Sequence, residues 1–586
     1  AFEGRVPVDL IGGAAFPPVG QLTYLLTLPP YGFYWFILAT EAALPPWHVR
    51  PSVPLPELTT LVLRSGVSDV LEPAAKRQLE HEALPEYLKR RRWFASKDQI
   101  IKSASLGRAD KIPGRTIDIV LTEVEVTLST RTERYHLPLG ISWDGETSSA
   151  LPQQLALARV RQGRRVGYLT DAFALDAFPL GLIRALQASL KIQVEGGEIR
   201  CLPTPHLTNI KMPENPEIRR LSAEQSNSSI IVGQKIIMKL IRRVMEGINP
   251  EVEMVRHLTL HGYANTPPLL GEIALFGKDG SGHAMIVAQE FLQNQGDAWQ
   301  YTLDYLARFI ETISMAGKNR ADEADQSSNY AGFARAVGTR LGELHALLAR
   351  PSEDEAFAPE TVSPEIATSW SEGAAAQLGL AFESLGKLKE FPDEETAKAA
   401  AFVLDHRREI LQTLNGLAAA GTGTLATRVH GDFHLGQILV STGDAYLIDF
   451  EGEPAKKLEV RRGKTSPMRD VAGLLRSLHY AAAASGQVPS GQAQMAQTSA
   501  ALARFVVDMS AQFLAAYRAV EAKAEPRWTK DDASESALLD LFLLEKSAYE
   551  ICYEAANRPG WIGIPLRGFA EIAASVLNRS KVLADA

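Results

Sequence analysis

The stretch Val429-His-Gly-Asp-Phe-His-Leu-Gly-Gln-Ile-Leu-Val440, followed closely by Tyr446-Leu-Ile-Asp-Phe-Glu-Gly-Glu-Pro454, decides the reading of this chain. Asp432 is followed five residues later by Gln437, and Asp449 ends a short apolar strand. Phosphoryl transfer needs a carboxylate that accepts the hydroxyl proton and oxygen ligands for Mg²⁺ beside the β- and γ-phosphates. An Asp-x-x-x-x-Asn/Gln loop and a later Asp-Phe supply both from two adjacent hairpin arms. Asp432 is therefore the candidate base, with Gln437 and Asp449 the candidate metal ligands. Turn-forming Asp and Gly residues between buried strands would account for either fragment alone. Two such fragments 17 residues apart, downstream of a strand-rich stretch, favour the chemical reading.

Upstream, Ser229-Ile-Ile-Val-Gly-Gln-Lys-Ile-Ile-Met-Lys239 predicts a hairpin turning at Gly233-Gln234. It places Lys239 on a strand, as suits a lysine that reaches ATP phosphates. Asn249-Pro-Glu251 starts a helix with an Asn cap and Pro at the first turn. Glu253 on that helix is the expected partner of Lys239, with Glu251 the second choice. No Gly-x-Gly-x-x-Gly precedes the hairpin; Ser226, Asn227 and Ser228 stand there and could offer donors to phosphates. Gln289 and Phe291 end the last strand of this region and are placed by position at the hinge facing adenine. Asp470 reads as a residue that holds a helix start and loop, and His345 and His434 as hydrogen-bonded structural histidines.

Further on, Lys546, Tyr549, Glu550 and Tyr553 recur at helical spacing and share one face. Aromatic rings beside ionic hydrogen-bonding groups suit a sugar, whose ring faces are apolar and whose rim is hydroxylated. From spacing alone, a tyrosine stripe in a helical core is the slightly better account.

The chain around these motifs has 586 residues, of which 46% are hydrophobic and 22% charged, a globular composition. Its net charge of −8 disfavours a nucleic-acid partner. Two cysteines, Cys201 and Cys552, exclude a disulfide framework and suit a reducing, cytoplasmic setting. The apolar run Tyr31 to Ala39 is far short of the roughly 20 residues that span a bilayer, so no membrane partner is expected. Residues 1–40 predict two strands, Gln21–Leu28 and Tyr31–Leu38, around a Pro-Pro turn, and 41–75 form a Pro-rich linker. Residues 76–205 read as an α+β cap, 206–295 as a sheet lobe and 296–586 as a helical lobe. In the cap, Thr116–Leu128 alternates as a half-buried strand whose phase slips between Leu121 and Val124, which predicts a bulge.

Several segments together resemble bacterial maltokinases: Ala223-Glu-Gln-Ser-Asn-Ser-Ser229, Lys239-Leu-Ile-Arg-Arg243, Gly247-Ile-Asn-Pro-Glu251, His430–Gln437 and Ile448–Pro454. Trp93-Phe94 and Arg558-Pro-Gly-Trp561 agree, so the resemblance covers about residues 75–586. Aminoglycoside phosphotransferases share only the His-x-Asp and Asp-Phe signals. The resemblance implies a bilobal protein-kinase-like (aminoglycoside-phosphotransferase-like) α+β fold with an N-terminal cap. It also implies ATP- and Mg²⁺-dependent phosphorylation of maltose to α-maltose 1-phosphate, feeding α-glucan synthesis. It supports Lys546, Tyr549 and Tyr553 as maltose contacts, and makes Gln437 and Glu451 family traits where protein kinases carry Asn and Gly. Residues 1–40 resemble the end of the trehalose synthase C-terminal β-domain, so Ala1 is expected to be a cut within a longer trehalose synthase–maltokinase fusion. The barrel that interconverts maltose and trehalose is not in the chain, and that activity is not expected of it. A kinase of glucosamine or another small sugar is the alternative enzyme. A non-catalytic scaffold that docks trehalose synthase is the alternative without chemistry; Lys239, Asp432, Gln437 and Asp449 together argue against it.

Overall fold

The computed structural model describes residues 5–9, 16, 19, 35–39, 58–112, 118–146, 149–221, 227–316, 320–454, 456–486 and 492–585. They divide into two units, residues 1–60 and 61–586. In the first, strand Val6–Asp9 pairs antiparallel with Phe36–Ala39, and Phe16 meets Phe36 edge to face at 5.0 Å. The expected strand Gln21–Leu28 and its Pro-Pro turn lie outside the described residues.

The cap is a sheet ordered Thr60–Val62, Ala156–Gln162, Arg165–Asp171, Leu139–Trp143, Ile119–Thr127 and Ser103–Lys111, antiparallel from Ala156–Gln162 onward, with Thr132–His136 also paired antiparallel to Ile119–Thr127. The linker expected over 41–75 therefore ends too late. Leu61, Leu63, Val67 and Val70 are buried in the cap core with Leu79, Leu84 and Leu88, and apolar spacing rather than proline governs this stretch. Strand Ile119–Thr127 is buried on both faces. Val120, Val124 and Val126 face the cap core, whereas Ile119 and Leu121 join a second core shared with the next lobe. The register shift does fall at the expected place, but in the partner strand: Leu106 pairs with Val124 and Ala109 with Thr122, leaving two residues opposite Glu123.

The next sheet is ordered Lys191–Val194, Gly197–Pro203, Leu269–Gly277, Gly282–Glu290, Ile236–Leu240, Ser228–Val232 and Ile218–Arg220, all antiparallel. The expected cap boundary at 205 thus falls too late as well. Strands Lys191–Val194 and Gly197–Pro203 belong to this lobe, because Phe178, Leu182, Leu186 and Ile199 bury themselves against Ile273 and Leu275. Gly233 (φ 60°) and Gln234 (φ 52°) close the hairpin that carries Lys239, a turn whose twist matches its strands only when both central residues are left-handed.

Helix Pro250–Leu260 starts where expected, with the Asn249 side chain accepting from the Val252 N–H at 3.1 Å. His257 on this helix stacks on Phe357, ring centres 3.7 Å apart, and on His261. Burial, with His261 and Arg428 nearby and Asp354 and Glu253 opposing, holds His257 down to about 4. The unfolded chain binds a proton near pH 6.5 that the folded helix refuses. Stability present above that pH is therefore lost as pH falls toward 4. Acidifying from about pH 7 to about pH 4.5 is expected to cost on the order of 1–2 kcal/mol through this residue. A His257→Gln variant whose melting temperature falls less than the parent's over that range is the check.

The remaining chain is a helical lobe. Helices Arg320–Leu348, Met468–Ser485, Gln492–Glu521 and Asp532–Asn557 bury Leu341, Leu344, Leu474, Phe513, Tyr517, Leu538 and Leu541 in one core. Into it is set the hairpin Ile438–Ser441 with Asp444–Leu447. Helix Met468–Ser485 lies so close to the preceding loop that a Cβ on Gly473 would come within 2.4 Å of the Phe433 carbonyl oxygen. Among the described residues no helix is long and apolar enough to cross a membrane.

Candidate active site

The loop that carries Asp432 is held from behind. Asp470, fully buried, accepts from the backbone N–H of His430 (2.7 Å) and of Gly431 (2.9 Å) and meets His345 Nε2 at 3.1 Å. Burial opposes ionisation of Asp470, yet these bonds and the His345 contact keep its carboxyl below the usual range. His345 also meets the Tyr517 hydroxyl at 2.8 Å. His430 Nε2 donates to the Ile448 carbonyl at 2.8 Å, and Ile448 N–H donates to the Gln437 carbonyl at 3.0 Å. Those two bonds draw the Asp432 loop and the Asp449 strand together. His434 turns its Nδ1 to the Gly436 N–H at 3.0 Å, a local loop cap.

Lys239 Nζ reaches across from the sheet lobe to three carboxylates: Glu251 at 2.9 Å, Asp449 at 3.2 Å and Glu451 at 3.3 Å. Its helix partner is therefore Glu251, not the expected Glu253. Two residues on a helix lie about 200° apart around the axis, so only one can face the strand. Glu253 points to the other lobe, where Arg428 (2.7 Å) and Arg462 (2.5 Å) hold it. Burial raises the Glu251 carboxyl, Lys239 opposing and Asp449 and Glu451 adding to the rise. Asp449 has a left-handed backbone (φ 65°), an uncommon conformation for a non-glycine residue that recurs at functional sites. Its carboxyl stays low although burial opposes ionisation, because Lys239 and Gln437 hydrogen-bond to it.

These groups line a cleft of about 890 Å³ together with Gln289 and Phe291, within the usual size range of ligand sites. Gln289 Nε2 donates to the Pro267 carbonyl at 3.2 Å, and the Phe291 N–H donates to the Lys235 carbonyl at 2.8 Å. Asn227 also lines the cleft and donates to Glu451 at 3.2 Å. Ser228 is not available for phosphates: its hydroxyl is buried and accepts from Arg242 Nε at 2.8 Å. Ser226 lies outside the described residues.

Asp432 also lines a second, smaller cavity of about 220 Å³, with Glu453, Arg469, Glu545, Lys546 and Tyr549 among its walls. Lys546 Nζ donates to Asp432 Oδ1 at 3.3 Å and lies 3.8 Å from Glu453. Burial works against the Lys546 charge, but Asp432, Glu453 and Glu550 keep its pKa raised. Lys456 pairs with Glu453 at 2.9 Å and Arg469 with Glu545 at 2.8 Å. The cavity thus matches three carboxylates with three cations. Of the expected sugar face, Lys546 and Tyr549 line this cavity, whereas Tyr553 and Glu550 do not. Glu550 is buried and taken up by Arg476 (2.7 and 2.9 Å), and Tyr553 is 46% exposed beside Arg558. Sequence reading gave Glu451 only as a family trait and missed Glu453, Arg469 and Glu545 as site residues; the Asp-Phe-Glu-Gly-Glu run was a usable signal for Glu453.

Comparison with known proteins adds three matches to family models. Residues 217–452 match the phosphotransferase enzyme family, 87–174 the maltokinase N-terminal cap domain, and 1–35 the maltogenic amylase C-terminal domain. A glucosamine kinase of Mycolicibacterium smegmatis is 26% identical over 348 residues, 59% of this chain and 77% of that protein. A trehalose synthase of Pimelobacter sp. is 70% identical over 37 residues, 6% of each chain. A solved glucosamine kinase in complex with glucosamine, ADP and inorganic phosphate superposes with a TM-score of 0.58 at 19% identity, covering 84% of this chain and 98% of that one.

Proposed function

From a phosphotransferase-family kinase domain under a maltokinase-type cap, preceded by a segment of trehalose-synthase type, we propose an ATP-dependent maltokinase that forms α-maltose 1-phosphate. The observation that carries the reading is the position of Asp432, which borders both cavities. The larger takes ATP and the smaller takes the sugar. Asp432 accepts the proton of the sugar 1-hydroxyl as that oxygen bonds to the γ-phosphorus, and the bond to the β-phosphate oxygen breaks to leave ADP. Lys546 fixes the carboxylate by its 3.3 Å contact. Lys239 offsets charge on the phosphates, and Gln289 and Phe291 border the adenine end. Gln437 and Asp449 fit a divalent cation, since hard oxygen donors converge there with Glu451 and Glu251 nearby. Mg²⁺ held there would neutralise charge between the β- and γ-phosphates.

Maltose is favoured over an aminosugar because the smaller cavity is already charge-balanced, so an ammonium would enter with no free carboxylate to meet it. Tyr549 offers a ring to an apolar sugar face. The product would serve as a donor for α-glucan synthesis, with maltose supplied by the trehalose synthase module. A glucosamine kinase is the second reading, favoured by the relatives of that name. ADP release measured with maltose, glucosamine and glucose decides between them. kcat/KM for maltose is expected to exceed that for glucosamine by about 100-fold or more, with ³¹P NMR locating the phosphate at the anomeric oxygen. A preference for glucosamine replaces the first reading with the second.

A further inference from the structure

Strand Ile119–Thr127 of the cap keeps its odd-numbered side chains toward the sheet lobe, and after Ile119 and Leu121 the next of them is Glu123. Directly opposite Glu123 on the neighbouring cap strand stands His136. From the sheet lobe, His283 on strand Gly282–Glu290 closes on the same point. All three are buried, and one ligand atom from each lies within 4.8 Å of the other two. Glu123 Oε1 is 3.1 Å from His283 Nε2 and 3.8 Å from His136 Nε2.

The tautomer of His136 makes this more than a polar cluster. Its Nδ1 lies 2.7 Å from the Ile241 carbonyl, which can only accept, so Nδ1 carries the proton. Nε2 then presents a lone pair, and it has no hydrogen-bond partner although its side chain is 1% exposed. What it faces is the carboxylate of Glu123. Glu123 Oε1 is within hydrogen-bond distance of His283 Nε2, so a buried cation here would take the place of the proton between those two atoms and meet the unpaired His136 Nε2 as well. The Nδ1–H to carbonyl bond is also the contact that fixes the orientation of metal-bound histidines.

We propose that Glu123, His136 and His283 form a Zn²⁺ site that staples the cap to the sheet lobe. Two imidazoles and one carboxylate are a zinc-type donor set, and ligand atoms on a tetrahedral zinc lie about 3.3 Å apart, between the two separations found here. Arg134 lies 3.6 Å from the other oxygen, Glu123 Oε2, and is itself held by Glu246 at 2.6 Å, so Oε1 remains for the metal. The backbone already runs through this point: His136 N–H donates to the Arg242 carbonyl at 2.7 Å and Val244 N–H to the Arg134 carbonyl at 2.9 Å. The site is independent of the Glu251, Asp449 and Glu451 cluster of the nucleotide cleft.

The test uses the whole chain, stripped with chelator and titrated with Co²⁺ and then Zn²⁺. One equivalent of Co²⁺ with the visible spectrum of a low-coordinate N/O site, displaced by Zn²⁺, is expected. His283→Gln should weaken binding by more than about 100-fold, while Asp449→Asn, in the nucleotide cleft, should leave that spectrum in place. No uptake by the unsubstituted chain overturns the proposal whatever the variants do. So does a spectrum that survives His283→Gln and disappears with Asp449→Asn. Should His283→Gln fail to fold, X-ray absorption on the unsubstituted Zn²⁺ protein decides, with two imidazoles supporting the site and none excluding it.

Discussion

Replacing Asp432 by asparagine is expected to lower kcat for sugar phosphorylation by about 10²–10⁴-fold, the usual contribution of a positioned general base. The substitution keeps the size of the side chain and a carbonyl oxygen for Lys546, so the loop held by Asp470 stays where it is. What is lost is the basic oxygen that takes the hydroxyl proton. Because Lys239, Gln437 and Asp449 are untouched, the affinity for ATP should change by less than a few-fold. Single-turnover measurement with saturating ATP separates the two quantities. An Asp432→Asn enzyme with near-parental turnover removes Asp432 from the reaction. A variant that loses ATP binding and turnover together assigns it to the nucleotide instead.

The second large effect is structural. Arg242 is fully buried and pairs with Asp171 of the cap at 2.7 Å, both side chains being 1% exposed. Its guanidinium also donates to Ser228 Oγ at 2.8 Å and lies over the rings of Trp93 (4.8 Å) and Phe173 (5.6 Å). Arg242→Met leaves the Asp171 carboxylate buried without its cation. That costs about 3–5 kcal/mol, far more than an exposed pair would. The urea midpoint should fall accordingly, with amide exchange accelerating first along the Thr132–His136 strand. Adding Asp171→Asn removes the stranded charge and should return a substantial part of the loss. Equal or greater instability in the double variant would show that packing against Trp93 and Phe173, not the charge, carries the effect.

The Gly233-Gln234 hairpin, the Asn249 cap and the loop around Asp432 were all legible without coordinates. Each depends on residues close in sequence: a turn that needs left-handed positions, a side chain that caps its own helix, an Asp and a Gln on one short loop. The cap boundaries were less legible. Ile119, Leu121 and the 177–203 segment bury themselves against a lobe whose strands come later, and alternation along one strand does not reveal a second covering layer.

The same limit applies inside the site. Helical spacing grouped Lys546, Tyr549, Glu550 and Tyr553, yet Arg476, 74 residues away from Glu550, takes that carboxylate into the core and leaves Tyr553 at the edge. Glu251 rather than Glu253 meets Lys239 because the strand approaches one side of the helix, and Arg428 and Arg462 claim the other. Around the smaller cavity Lys546 meets Asp432 from 114 residues away, and His283 reaches Glu123, the neighbour of His136, from 160 residues away. By itself the sequence determined which chemical groups the molecule carries and the local turns and caps that hold them. Only the tertiary structure decided which groups are paired, because a charge or lone pair is satisfied by whatever distant segment folding brings within about 3 Å of it.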